Sequence, residues 1–160
     1  MDGVITAAVT GGLATVTVSH SAGRSMIDAM DHFIRPNGSP PVNGYSHAVA
    51  FTGPMVAVSG QIPVDGDGTL IGKEDAEAQV RQVYANLTTA LEAAGSGLQH
   101  VVKLTVYLTD LDDLGAFRKV RDEYQDVEHP PACSLVKVAG LAHPDFRVEI
   151  DALAVARSAG

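Results

Sequence analysis

Four residue types in this chain could carry chemistry, and each admits a plain structural reading. Glu149 stands among Val148, Ile150 and Leu153, where a carboxylate is costly to bury without a partner or a task. It is either a working group or an ion-paired carboxylate at a subunit boundary. Cys133 is the single cysteine, in Pro130-Pro131-Ala132-Cys133-Ser134. A nucleophilic or redox thiol would need a nearby base or cation. No local signature supplies one, and only His47 or His129 could approach through space. A buried cysteine acting as a small hydrophobe is the simpler expectation. Arg118 lies four residues before Asp122, the spacing of a surface ion pair on a helix, and Arg121 is a similar candidate cation. The six histidines show no His-x-x-x-His spacing, so no metal site is expected. Gly66 and Gly68 lack the Lys-Ser/Thr of a phosphate-binding loop, and no cofactor is expected either.

Positioning such residues takes one domain. A chain of 160 residues can bury its own core, and 46% hydrophobic against 19% charged residues is globular and rather apolar for a soluble monomer. That excess predicts a subunit interface. The formal net charge of -8, with eleven scattered basic residues, speaks against a nucleic-acid partner. The first residues lack a basic leader, and no stretch approaches the ~20 apolar residues of a membrane span. A cytoplasmic protein without membrane contact is expected, and one cysteine excludes an internal disulfide.

Two β-prone runs around Gly11-Gly12, within residues 4–18, suggest a hairpin. Residues 19–43 are rich in Ser, Gly, Pro and Asn apart from Met26 to Ile34. Residues 1–33 therefore read as an extension, 34–156 as the domain and 157–160 as a tail. Tyr45 to Phe51 and Met55 to Ser59 read as strands around a turn at Gly53-Pro54. Val80, Val83, Tyr84, Leu87, Ala90, Leu91 and Ala94 recur at helical spacing over 74–94, and Gly95 supplies the stop. Val101 to Leu108 alternates as a strand. Asp110 to Tyr124 reads as a second helix, ended by Pro130-Pro131. Ala132 to Val138 and Arg147 to Ala156 complete the set. The order predicts an α+β layer, a single mixed sheet with two helices on one face. Its other face carries apolar residues best covered by identical subunits in a closed ring.

Several segments resemble the Rid family, also called the YjgF family. They are Ser59-Gly60-Gln61-Ile62-Pro63, then Gln79, Asn86-Leu87 and Leu91-Glu92-Ala93-Ala94-Gly95. Val101 to Leu108 with Asp110-Leu111, and Val148 to Ala154, follow in the same order. The resemblance spans residues 34 to 156, about three quarters of the chain. It implies a chorismate-mutase-like fold, a homotrimer with clefts between neighbouring subunits, and hydrolysis of small enamines or imines with release of ammonia.

By the same resemblance Tyr45 lines the cleft, Ser59 and Gly60 present a backbone N–H to the substrate, and Glu149 positions water. Those positions match. The arginine that grips the substrate carboxylate is here Cys133, the residue two further on, often cysteine, is Leu135, and an asparagine of the second helix aligns with Arg118. Losing a bidentate fork worth ~1.5–3 kcal/mol per charged hydrogen bond predicts an altered substrate choice. Arg118 or Arg121 could take over the anion. The alternative is a regulatory trimer that binds a metabolite without turning it over.

Overall fold

The computed structural model describes residues 30–156. The hairpin expected at 4–18 and the tail at 157–160 lie outside the described residues. Among these residues there are six strands, two α-helices and two 3₁₀ turns, at Leu98–His100 and Leu111–Asp113. Strand β1 (Met30–Phe33) pairs antiparallel with β2 (Ala48–Phe51) as a two-stranded ribbon. Strands β3 (Met55–Gln61), β4 (Val101–Leu108), β5 (Ala132–Lys137) and β6 (Val148–Val155) form one mixed sheet in the order β3-β6-β4-β5. Strand β6 runs antiparallel to both neighbours, whereas β4 and β5 are parallel. Helix α1 (Ala76–Ala93) links β3 to β4, and α2 (Leu114–Tyr124), entered through a 3₁₀ turn at Leu111–Asp113, links β4 to β5.

The expected α+β layer is present. Strand β1 was not anticipated as part of it, since residues 30–33 fall in the stretch read as an extension. The ribbon also sits at the β5 edge of the main sheet, through a parallel bridge between Ser46 and Ala132. Ser46 N–H donates to Pro131 O (2.9 Å), and the buried Ser46 hydroxyl donates to Pro130 O (2.6 Å). His32 Nδ1 lies 2.9 Å from the same carbonyl.

Helix α1 begins at an Asp75 cap, whose carboxylate accepts the Ala78 N–H at 3.0 Å. It ends at Gly95, whose φ of +73° is open to glycine, with Ser96 N–H reaching Leu91 O and Gly95 N–H reaching Glu92 O. Between these caps Val80, Val83, Tyr84, Leu87 and Leu91 bury completely against Leu104, Val106, Ile150 and Ala154 of the sheet. Helix α2 adds Phe117 and Val120 to the same core. Truncating a residue such as Leu87 to Ala costs about 2–5 kcal/mol by the cavity it leaves.

Two residues that carry the family resemblance serve the backbone. Gln79, fully buried, donates to Gly72 O and Asp145 O and accepts the Arg147 N–H. Asn86 donates to Ile62 O and Val64 O, holding the loop after β3 against α1.

Strand register fixes what each face can present. Leu104 opposes Cys133, Val106 opposes Leu135 and Ile150, and all turn toward the helices. Tyr107 opposes Glu149 and Val136, and Thr105 opposes Asp151 and Ser134, on the other face. No helix covers that second face among the described residues; Met55 and Val136 there are 56% and 43% exposed.

Candidate active site

The residues singled out from the sequence gather into two groups, one on each face of the sheet. On the open face, β3 carries an extra residue relative to β6: Val58 opposes Ala152, but Ile150 is met by Gln61. Ser59 and Gly60 therefore form a β-bulge, a device that re-aims a strand beside a site. Glu149 is half-buried and lies directly over Gly60. A methyl at residue 60 would stand 2.8 Å from Glu149 Cδ and 3.0 Å from Cγ, with Oε1 closer still. Glycine here is a matter of room for the carboxylate.

Glu149 makes no hydrogen bond and no ion pair among the described residues. Its neighbours are already engaged: Tyr107 donates to Asp151 at 2.9 Å, and Lys103 donates to Ser134 at 2.6 Å. The Tyr107 phenol is held above its ordinary pKa, chiefly by that hydrogen bond to the Asp151 carboxylate. The ion-paired alternative for Glu149 therefore finds no partner among the described residues.

On the helix face, a cavity of about 270 Å³ opens between α2, β5 and the loop before β2. Asn43, Tyr45, Leu114, Phe117, Arg118, Arg121, Cys133 and Leu135 line it. Tyr45 packs edge-on against His47, at 5.7 Å between ring centres, and its hydroxyl has no hydrogen-bond partner among the described residues. His47 Nε2 lies 3.1 Å from Pro40 O, outside the cavity lining.

Cys133 is partly buried, and burial pushes its thiol above the ordinary value of 9.0, against smaller opposing effects from Lys103 and Arg121. It is a neutral thiol near pH 7. Neither His47 nor His129 lines the cavity; His129 pairs with Asp126 at 2.9 Å. The nucleophile reading of Cys133 lacks its base, and the small-hydrophobe reading fits.

The ion pair expected of Arg118 is made by Arg121 instead. Asp122, the expected partner of Arg118, is taken by Arg121, whose Nε donates to it at 2.8 Å. Arg121 also donates to Asn43 O (3.0 Å) and Asn43 Oδ1 (3.2 Å), and lies 5.9 Å from the Phe117 ring centre. Its side chain is only 7% exposed. It packs so closely under Gly44, at φ +67°, that a side chain there would overlap the guanidinium. Arg121 thus fastens the Asn43–Tyr45 loop. Arg118, one turn earlier on the same helix, is exposed and makes no hydrogen bond or ion pair among the described residues. Sequence reasoning did not place Asn43, Leu114 or Phe117 in the site; the Asn43-Gly44 turn pair was the signal available.

The structure thus brings Tyr45, Arg118 and Cys133 together, and Ser59, Gly60 and Glu149 together, but on opposite faces. Among the described residues no cluster of His, Cys, Asp or Glu could hold a metal, and no helix is long and apolar enough to cross a membrane.

A mixed sheet backed by two helices, with a bulged Ser-Gly beside a strand glutamate, defines a class that comparison with known proteins makes specific. Residues 37–156 match the family model described as endoribonuclease L-PSP. A RutC family protein of Synechocystis is 40% identical over 116 residues, covering 72% of this chain and 88% of that one. The 2-iminobutanoate/2-iminopropanoate deaminase of Salmonella typhimurium is 41% identical over 108 residues, covering 66% and 82%. Among solved structures, a Rid family protein of unknown function from Yersinia pestis superposes with a TM-score of 0.72 at 32% identity, covering 79% of this chain and 98% of that one. The chain belongs to the Rid (YjgF) family.

Proposed function

We propose that this protein is a cofactor-free hydrolase of small imines or enamines, working as a homotrimer whose clefts lie between subunits. The observation that carries the reading is the split of the site. Glu149 over the Gly60 bulge and the cavity of Tyr45, Arg118 and Cys133 face opposite ways in one chain. One pocket can contain both only if two copies contribute, and the exposed Met55 and Val136 give the open face reason to be covered by another copy. The deaminase of Salmonella typhimurium supplies the reaction class by similarity.

In this reading Glu149 holds a water beside the C=N carbon. As the water oxygen bonds to carbon, Glu149 accepts its proton and the C=N electron pair moves onto nitrogen. The proton then passes to nitrogen, giving a neutral carbinolamine. Its hydroxyl proton is next relayed through Glu149 to the amino nitrogen, and ammonia leaves with the C–N electron pair as an oxygen lone pair forms the carbonyl. An enamine enters the same route after protonation at carbon. The Gly60 amide is a fixed donor, Tyr45 lines the substrate's path, and no metal or redox group is required by this balance.

The test is complementation. Glu149→Gln and Tyr45→Ala should each abolish imine hydrolysis, and co-expressing both should restore it. A mixed trimer pairs an intact Glu149 from one copy with an intact pocket from its neighbour. Two inactive variants that stay inactive when mixed, or a wild-type protein that sediments as a monomer, would end the proposal. The replacement of the usual arginine by Cys133 favours a second reading, a trimer that binds a metabolite without hydrolysing it. Ligand binding with no hydrolysis of any imine is its signature. The ribonuclease in the family description finds no support in a net charge of -8.

A further inference from the structure

The cavity beside Cys133 holds a charge arrangement that runs against the rest of the molecule. The chain is acidic overall, yet the eight residues of this lining include two arginines and no carboxylate. The two cations are unequal. Arg121 spends its donors on Asp122 and Asn43, and Asp122 offsets its charge. Arg118 makes no hydrogen bond or ion pair among the described residues. Everything else around it is uncharged: Leu114, Phe117, Leu135, Tyr45 and a protonated Cys133. An exposed arginine with no carboxylate partner among the described residues, lining a partly apolar hollow, suits an anion, because a carboxylate matches the guanidinium fork with two parallel charged hydrogen bonds.

We infer that Arg118, on helix α2, is the carboxylate clamp of this pocket, with Arg121 as the positioning residue that holds the Asn43–Tyr45 loop at its rim. The clamp stands next to Leu114 and Phe117 on α2, and the short Cys133 and Leu135 side chains leave the β5 wall apolar. The ligand class is therefore a small monocarboxylate with an apolar body, such as an imino acid or the keto acid derived from it. A single free fork suits one carboxylate. The inference deepens the deaminase reading and rests on it for the imino group alone; the anion site stands on the cavity.

The test separates the two. Binding of an unreactive keto acid, 4-methyl-2-oxopentanoate, is measured by calorimetry on wild-type, R118Q and R118K proteins, alongside the corresponding amide, which lacks the charge. R118Q should weaken keto-acid binding roughly tenfold to hundredfold, the loss of one or two charged hydrogen bonds, and leave amide binding unchanged. R118K should fall between, keeping the charge without the fork. In turnover of imino acids generated in place, R118Q should raise KM with little change in kcat. Keto-acid binding that R118Q does not weaken overturns the inference, even if imines are hydrolysed. Binding that depends on Arg118 without any hydrolysis upholds the anion site and refutes the deaminase.

Discussion

Replacing Gly60 by alanine separates a catalytic use of the Glu149 contact from a merely structural one. The new Cβ would lie 2.8 Å from Glu149 Cδ and 3.0 Å from Cγ, whereas ordinary contact begins at 3.4 Å. The carboxyl carbon must retreat by about 0.6 Å and the nearer oxygen further, given that spacing. The carboxylate is the free end of a flexible, half-buried side chain with no hydrogen bond to lose among the described residues, so the fold should give way cheaply. The stability cost should stay within about 1 kcal/mol, a small fall in melting temperature. Catalysis is less forgiving: a group must sit within ~0.5 Å of its productive place, and a 1 Å error can cost about a hundredfold. G60A should therefore lose ten- to a hundredfold in kcat for imine hydrolysis while melting almost where the wild type does. Ammonia release from an imine made in place by an amino-acid oxidase reads the first quantity, and a thermal melt reads the second. Wild-type kcat in folded G60A would refute the reasoning, because the carboxylate would have moved without consequence.

Further outcomes follow from the same geometry. Glu149→Gln should lower kcat by about 10²–10⁴, the range for a lost general base, with no loss of stability. Asp113→Asn should destabilise the fold by about 2 kcal/mol in a denaturant titration, since it breaks the paired contact of Arg147 with a carboxylate only 9% exposed (2.7 and 2.9 Å). Val136→Glu, placing a charge on the open face, should yield smaller particles in light scattering and no hydrolysis. Alkylation of Cys133 by iodoacetamide should stay slow at pH 8 and rise only above the ordinary thiol value of 9.0. The sign follows from burial favouring the neutral form: its contribution to stability is complete below the unfolded thiol's pKa and is lost as pH climbs through the higher folded value.

The helices and the central strand were legible because their patterns are local. The 3.6-residue recurrence of Val80, Val83, Tyr84, Leu87 and Leu91 marked α1, and alternation from Val101 to Leu108 marked β4 at its observed bounds. The second helix was read as one piece from Asp110, and its first turn is 3₁₀, because Asp110 caps Asp112 N–H before the helix settles. Strand β1 was missed, since its four residues pair only with β2, a partner fifteen or more positions away. The bulge at Ser59-Gly60 was equally hidden: it is a mismatch between two strands, and one strand's sequence does not show it. Within the site, residue types at Glu149, Tyr45 and Gly60 could be assigned by resemblance. Their distribution between faces depended on the β3-β6-β4-β5 order, which no local pattern encodes. Which of two similar arginines would be engaged was hidden as well, because Arg121 is held by Asn43, a loop residue 78 positions away.

The carbonyl of Pro130 receives both the Ser46 hydroxyl and the His32 ring, and the next carbonyl receives the Ser46 amide. Tyr45 adjoins that serine and Cys133 follows those prolines, so opposite walls of the hollow are stapled at one spot. Within one subunit, the spacing of these two walls is therefore set by the same hydrogen bonds that hold the ribbon to the sheet. In the proposed pocket, two walls tied at one point leave a substrate of matching width little reorganisation to bear on entry.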